Sequence, residues 1–179
     1  MKSTALAKSA GKSSASRSGK RAVAVALSIV ATLALVSVSS CQKGAQGEDD
    51  LAEFLLSLTN EYNAAWETLN LDSISEFHSD DIRYYWRGLL VCASQSEFER
   101  HFREDILTVI TAYSAETVEP HVEVLGPDAG VVSYGFRGQV VTPDGETQDY
   151  SGALSIVFER RDGDWKVVLI HESAPEPGQ

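Results

Sequence analysis

The stretch ERRDGDWKVVLIHES, residues 159–173, is typical of two β-strands joined by a tight turn. The Asp-Gly pair at 162–163 is a strong hairpin signal, because both residues tolerate the positive φ angles of a two-residue turn. Trp165 then opens an apolar run that ends on His171, Glu172 and Ser173. These terminal polar residues either line a cavity or mark the point where the strand reaches water.

Three more β-rich stretches precede this last strand, at residues 113–126, 129–145 and 147–163. Gly-Pro-Asp and Pro-Asp-Gly separate them, and both sequences are turn signals. Further upstream, apolar residues recur at steps of three and four over residues 50–69, which predicts an amphipathic helix. Helices followed by a run of antiparallel strands indicate an α+β domain with the helices on one face of a sheet.

Shorter elements lie between the first helix and the β-rich half. Asp72 is the expected N-cap of a short helix, and residues 80–88 predict an aromatic-rich strand closed by Gly88. Ser94 or Ser96 can cap a third helix over residues 95–110, where apolar residues again follow a helical spacing.

The first 40 residues differ in kind from the rest of the chain. Residues 1–21 contain six Lys or Arg and no acid, and residues 22–38 form an apolar run broken only by Ser and Thr. This order predicts a secretory signal peptide over residues 1–40. The apolar run has 17 residues, the lower limit of a membrane-spanning length, so a retained signal anchor is the alternative.

The sequence VSSC, residues 38–41, resembles the lipobox of bacterial lipoproteins: an aliphatic residue, two small residues and a cysteine. The resemblance implies that Cys41 receives a diacylglyceryl group on its sulfur and becomes the N-terminus after cleavage. Several acyl chains anchor a protein stably, whereas a single chain binds only marginally. We therefore expect an exported lipoprotein of the bacterial cell envelope, held to the membrane through Cys41, with residues 41–49 as the lipidated cysteine and a flexible tether.

The remainder of the chain is strongly acidic. Residues 41–179 carry nine Lys or Arg against 26 Asp or Glu, a formal net charge of −17. This charge argues against nucleic-acid binding and against electrostatic adhesion to anionic lipid. Once Cys41 is lipidated, Cys92 is the only cysteine left, so no internal disulfide is possible. We expect Cys92 to be a small buried side chain rather than a nucleophile.

Two stretches resemble a known superfamily. YNAAWETLNLDSISEFHSDDIRYY, residues 62–85, is similar to the opening of SnoaL-like and nuclear transport factor 2-like domains. RRDGDWKVVLIHESAP, residues 160–175, resembles the closing hairpin of the association domain of calcium/calmodulin-dependent kinases and of DUF4440 domains. The resemblance covers residues 50–174 and leaves 175–179 as a tail.

That resemblance implies a cone-like, curved antiparallel sheet wrapped around N-terminal helices, with a pocket at the wide end. It also implies a homodimer packed through the outer face of the sheet. Members of this superfamily include isomerases, dehydratases, cyclases and epoxide hydrolases, but also non-catalytic binding and assembly modules. The fold therefore does not decide the function.

Strand alternation sorts the candidate site residues by face. In the last strand, His171 continues a row that begins at Trp165, and we expect this row to face inward. Arg137 lies between Gly135 and Gly138 and could hold a ligand carboxylate or carbonyl, with a surface ion pair as the alternative. The predicted pocket consists of Tyr84, Trp86, Arg137, Tyr150 and His171.

The sequence assigns no catalytic residue. His171, Asp81 and His101 are candidates for a proton-transferring group, although a turn or capping role is the alternative for Asp81. No carboxylate deep in the pocket stands out, and His78 and His121 look exposed. No metal-ligand spacing and no glycine-rich phosphate loop occurs in the sequence, so we expect neither a metal nor a cofactor.

Three functions remain open at this stage. The first is a lipid-anchored domain that binds a small apolar or amphipathic molecule without catalysis. The second is an isomerase, dehydratase or cyclase with a His-centred pocket. The third is a dimeric assembly module for envelope proteins.

Overall fold

The structure is a computed structural model that describes residues 47–174. The predicted signal peptide, the lipobox with Cys41 and the tail lie outside the described residues. The first helix, α1, covers residues 47–67 of the described chain. The apolar spacing predicts this helix over 50–69, so it begins three residues earlier, within the predicted tether, and ends two residues earlier.

The remaining helices are short. Helix α2 is Leu71–Ser75, and its N-cap is Asn70 rather than the predicted Asp72, because the Asn70 side chain accepts bonds from two backbone N–H groups. Helix α3, Gln95–His101, is capped by Ser94 and continues as a π-helical turn, Phe102–Ile106, and as α4, Leu107–Val109. Among the described residues, no helix is long and apolar enough to cross a membrane.

Six strands form one curved sheet in the order β2-β1-β6-β5-β4-β3. Their bounds are β1 His78–Trp86, β2 Leu89–Cys92, β3 Ala112–Gly126, β4 Ala129–Val141, β5 Thr147–Arg161 and β6 Asp164–Ser173. All neighbouring pairs are antiparallel except β1 and β6, which run parallel. The α+β architecture predicted from the order of elements is confirmed, whereas the short strand β2 is an addition to it.

The core lies between α1, α3 and the inner face of the sheet. Leu55 of α1 packs so closely over the β3–β4 turn that a Cβ on Gly130 would approach its side chain to 2.3 Å. Phe98 and Phe102 fill the space between α3 and the sheet, and both are fully buried. Because the described residues bury a core of their own, we expect residues 42–179 to fold without the N-terminal segment.

A bulge in β6 reverses which side chains face inward. Val167 pairs with Phe158 and Leu169 pairs with Val157, so Val168 is an extra residue in the strand. One extra residue moves every later side chain to the opposite face. The predicted inward row is therefore wrong from Leu169 onward: His171 is exposed on the outer face, and Ile170 and Glu172 point inward.

Candidate functional site

A cavity of about 510 Å³ opens between the helices and the inner face of the sheet. This volume is typical of small-molecule sites. Its wall is mostly aromatic and aliphatic, and Trp86, which is 39% exposed, lies at its mouth. The residues that line it include Asn63, Trp66, Tyr84, Trp86, His101, Asp105, Tyr113, Tyr134, Phe136, Tyr150 and Glu172.

Glu172 of β6 is the carboxylate of the inner wall. Its Oε2 accepts a hydrogen bond of 2.8 Å from the Tyr84 hydroxyl on β1, and its Oε1 accepts one from the Tyr150 hydroxyl on β5. Burial raises the pKa of Tyr84, and the negative charge of Glu172 raises that pKa further; the same two causes raise the pKa of Tyr150. Both tyrosines therefore remain protonated and hold the carboxylate in place as hydrogen-bond donors.

A second polar group lies on the helix side of the cavity. The Tyr134 hydroxyl donates to Oδ1 of Asn63 at 2.8 Å, and Nδ2 of Asn63 donates to Oγ1 of Thr117 at 3.1 Å. Burial raises the pKa of Tyr134 and of Tyr113. Within residues 47–174 the Tyr113 hydroxyl has no hydrogen-bond partner, so it is available to a ligand.

His101 and Asp105 are hydrogen-bonded to each other on the cavity rim. Nδ1 of His101 lies 2.7 Å from Oδ2 of Asp105, and the His101 ring lies 6.1 Å from the ring of Tyr84, measured between centroids. The pair spans the start of the π-helical turn, and such turns often occur at functional sites. The side chain of His101 is 22% exposed and that of Asp105 is 68% exposed, so the pair is accessible from the mouth.

The structure brings together part of the predicted pocket. Tyr84, Trp86 and Tyr150 line the cavity, and His101 reaches its rim. Neither Arg137 nor His171 does so, since both are exposed on the outer face of the sheet. Asp81 is exposed as well and lies 3.8 Å from Arg161 in a surface ion pair.

The flanking glycines predict that Arg137 reaches into the pocket, but in the structure Gly138 has a different role. A Cβ on Gly138 would come within 1.8 Å of the Ser114 carbonyl oxygen on β3. This glycine permits the close approach of two strands and does not make room for a long side chain. Tyr134 and Phe136, on the alternate positions of β4, take the inward face instead.

Sequence reasoning missed Glu172, the residue around which the site is organised. In a regular strand Glu172 would face the outer side of the sheet, because its neighbour His171 is predicted to face inward. Only the bulge at Val168 turns Glu172 inward. Tyr134 and Phe136 were recoverable, because large apolar side chains at alternating positions of β4 mark the buried face.

Two other reactive side chains of the domain, Cys92 and His78, are buried and do not line the cavity. Cys92 is 1% exposed, and burial raises the pKa of its thiol to about 11, which confirms it as a buried side chain. His78, expected to be exposed, is buried, and its Nε2 lies 2.9 Å from the Tyr62 hydroxyl. Among residues 47–174, no cluster of three or more His, Cys, Asp or Glu could hold a metal ion.

The cone of helices and curved sheet with a cavity at one end defines the nuclear transport factor 2-like class of folds. Residues 55–177 match the SnoaL-like domain family, and the chain belongs to that family. No curated protein matches the chain.

Three solved structures illustrate the likeness. The association domain of C. elegans calcium/calmodulin-dependent kinase II is 17% identical, covers 70% of this chain and 97% of its own, and gives a TM-score of 0.58. A nuclear transport factor 2-like protein from Salmonella enterica is 16% identical over 75% of this chain and 95% of its own, with a TM-score of 0.59. A ketosteroid isomerase-like protein from Erwinia carotovora is 14% identical over 70% of this chain and 97% of its own, with a TM-score of 0.61. At these identities the likeness shows the fold alone.

Proposed function

We propose that the chain is an exported, lipid-anchored domain that binds a small, largely apolar molecule in the cavity. The observation that carries the proposal is the inner wall itself: aromatic side chains surround one carboxylate, Glu172, held by Tyr84 and Tyr150. An apolar cavity with a few convergent polar groups is the usual form of a ligand site. The polar groups orient the ligand, and the rings supply the contact area.

Blocking the cavity tests this proposal. Ala115 of β3 lines the cavity, whereas the adjacent Ser114 is exposed on the opposite face of the same strand. Ala115→Phe should therefore abolish binding of naphthalene-sized probes to residues 42–179 in calorimetric titrations, and Ser114→Phe should preserve it. Native mass spectrometry of gently purified protein should show the same difference for any molecule that copurifies. If no probe binds to the parent protein and no extra mass is found, the binding function is wrong.

The anchor is tested separately. If Cys41 carries the lipid, the full chain should fractionate with membranes and Cys41→Ser should abolish the mass increment of the acyl chains on the mature protein. Cys92→Ser is the matched control, because Cys92 is buried inside the domain and should leave lipidation unchanged. A lipid mass that persists in the Cys41→Ser protein would contradict the lipoprotein proposal.

A second candidate function is proton transfer, as in an isomerase, dehydratase or cyclase. The favouring observation is that Glu172 and the His101–Asp105 pair face one cavity, with Glu172 in the place that the sequence reasoning gave to His171. In this mechanism the Glu172 carboxylate would remove a proton from a carbon next to a carbonyl, and a protonated tyrosine would stabilise the oxyanion that forms. The name of the ketosteroid isomerase-like structure fits this chemistry, although its likeness shows only the fold.

Exchange of an acidic C–H distinguishes catalysis from binding. With 2-tetralone in D₂O, the parent protein should accelerate incorporation of deuterium next to the carbonyl, as measured by NMR. Glu172→Gln should remove the acceleration, and His121→Gln on the surface should not. If 2-tetralone binds but exchanges its protons no faster than in buffer, proton transfer from such ketones is excluded and binding is left as the function.

A further inference from the structure

The charges that face the cavity are unbalanced. Glu172 lies on the inner wall, the exposed Glu116 also lines the cavity, and Asp105 lies at the rim beside His101. Among the described residues that line the cavity there is no lysine and no arginine. A ligand anion would therefore meet an uncompensated carboxylate in a partly desolvated space, which is unfavourable.

The aromatic wall presents ring faces and edges around the same carboxylate. Tyr113 lies 6.4 Å from both Trp66 and Tyr150, and Tyr150 lies 5.1 Å from Phe136, all measured between ring centroids. Tyr150 belongs to this chain of rings and also donates its hydroxyl to Glu172. A group bound at Glu172 is thus next to several rings at once.

Aromatic ring faces and a carboxylate both attract cations. The face of an aromatic ring attracts a cation within about 6 Å of its centroid, most strongly when water is excluded. An arginine outside the cavity lining already makes such a contact, because the Arg87 guanidinium carbon lies 5.5 Å from the centroid of Trp86. The net charge of −17 for residues 41–179 adds a long-range attraction for cations.

We infer that the cavity selects a lipophilic organic cation: an alkyl or aryl amine, or a quaternary ammonium compound, with its charge at Glu172 and its apolar body against the rings. Tyr84 and Tyr150 each donate one hydrogen bond to the carboxylate and hold it in place, and its oxygens can still accept further hydrogen bonds from a ligand. The inference rests on the proposed binding function and specifies its ligand class.

Three probes that share a naphthalene ring test the inference on residues 42–179 at pH 7. They are 2-naphthylmethylamine, which is cationic, 2-naphthalenemethanol, which is neutral, and 2-naphthoate, which is anionic. Calorimetric titration should give a dissociation constant for the amine at least about tenfold below that of the alcohol, with no measurable binding of the naphthoate. Glu172→Gln should bring the amine to within about threefold of the alcohol, and Glu123→Gln, an equal charge change on the exposed face of β3, should leave the order unchanged.

The outcomes separate the inference from the function on which it rests. Equal or tighter binding of the alcohol, blocked by Ala115→Phe, would overturn the cation preference while the binding function stands. Failure of all three probes to bind would overturn both. Circular dichroism shows whether Glu172→Gln folds. If it does not, the order of the three affinities on the parent protein still tests the cation preference. Tyr113→Leu then replaces Glu172→Gln as the variant, and it should weaken binding of the amine more than binding of the alcohol.

Discussion

His78 is a histidine that the fold keeps neutral. Only 3% of its surface is exposed, its ring lies 4.4 Å from that of Phe98 between centroids, and Tyr62 is its hydrogen-bond partner. Burial, with a smaller contribution from the charge of Lys166, lowers the pKa of His78 to about 3. In the unfolded chain the pKa is about 6.5, so between these values the unfolded state binds the additional proton.

The folded state should therefore lose stability as the pH falls below about 6.5, and the loss from His78 should continue towards pH 3. The slope is about 1.4 kcal/mol per pH unit, which amounts to about 2–3 kcal/mol at pH 4.5 relative to pH 7.5. Urea unfolding of residues 42–179 at a series of pH values measures it. His78→Gln should flatten this slope, while His121→Gln, on the exposed part of β3, should not. An unchanged slope in the His78→Gln protein would show that other groups cause the acid sensitivity.

The close contact between strands β3 and β4 leads to a second prediction. Gly138 on β4 pairs with Ala115 on β3, and a Cβ at Gly138 would overlap the backbone of β3. Gly135 on the same strand has no neighbour closer than 3.6 Å to its Cβ position. Gly138→Ala should lower the free energy of unfolding by about 1–3 kcal/mol, because the two strands must separate. Gly135→Ala should leave it nearly unchanged in denaturant titrations. If Gly138→Ala is as stable as Gly135→Ala, the close approach of the two strands at Gly138 does not cause the expected loss.

The same elements show what the sequence can and cannot predict. The helical stripe of α1 and the turn signals between β3, β4, β5 and β6 determine the elements locally, and the structure has them at the predicted positions. The bulge at Val168 depends instead on how β6 pairs with β5 across the sheet, and no turn residue or glycine marks it. For this reason Tyr84 and Tyr150 could be predicted for the site, and Glu172 could not.

At the scale of the whole molecule, the two faces of the sheet have different surfaces. The inner face carries the cavity, whereas the outer face of the central strands carries small and aliphatic side chains together with the exposed Arg137 and His171. On that outer face Oγ of Ser133 lies 3.0 Å from Oγ of Ser155, and Val131, Val157 and Leu169 lie side by side on the three strands. A row of this composition suits contact with an identical surface, since a two-fold dimer buries the same patch on both copies.

We therefore expect residues 42–179 to form a homodimer through the outer face of β4, β5 and β6. Val157→Arg places a charge in the middle of the row and should yield a monomer in native mass spectrometry and in sedimentation at micromolar concentration. Leu89→Arg is the matched control, because Leu89 is 71% exposed on the β1–β2 hairpin, away from that face.

Since Val157 points away from the cavity, the monomeric variant should still bind the naphthalene probes. A parent protein that sediments as a monomer would contradict the dimer, and loss of probe binding in the Val157→Arg monomer would mean that the cavity depends on the second copy.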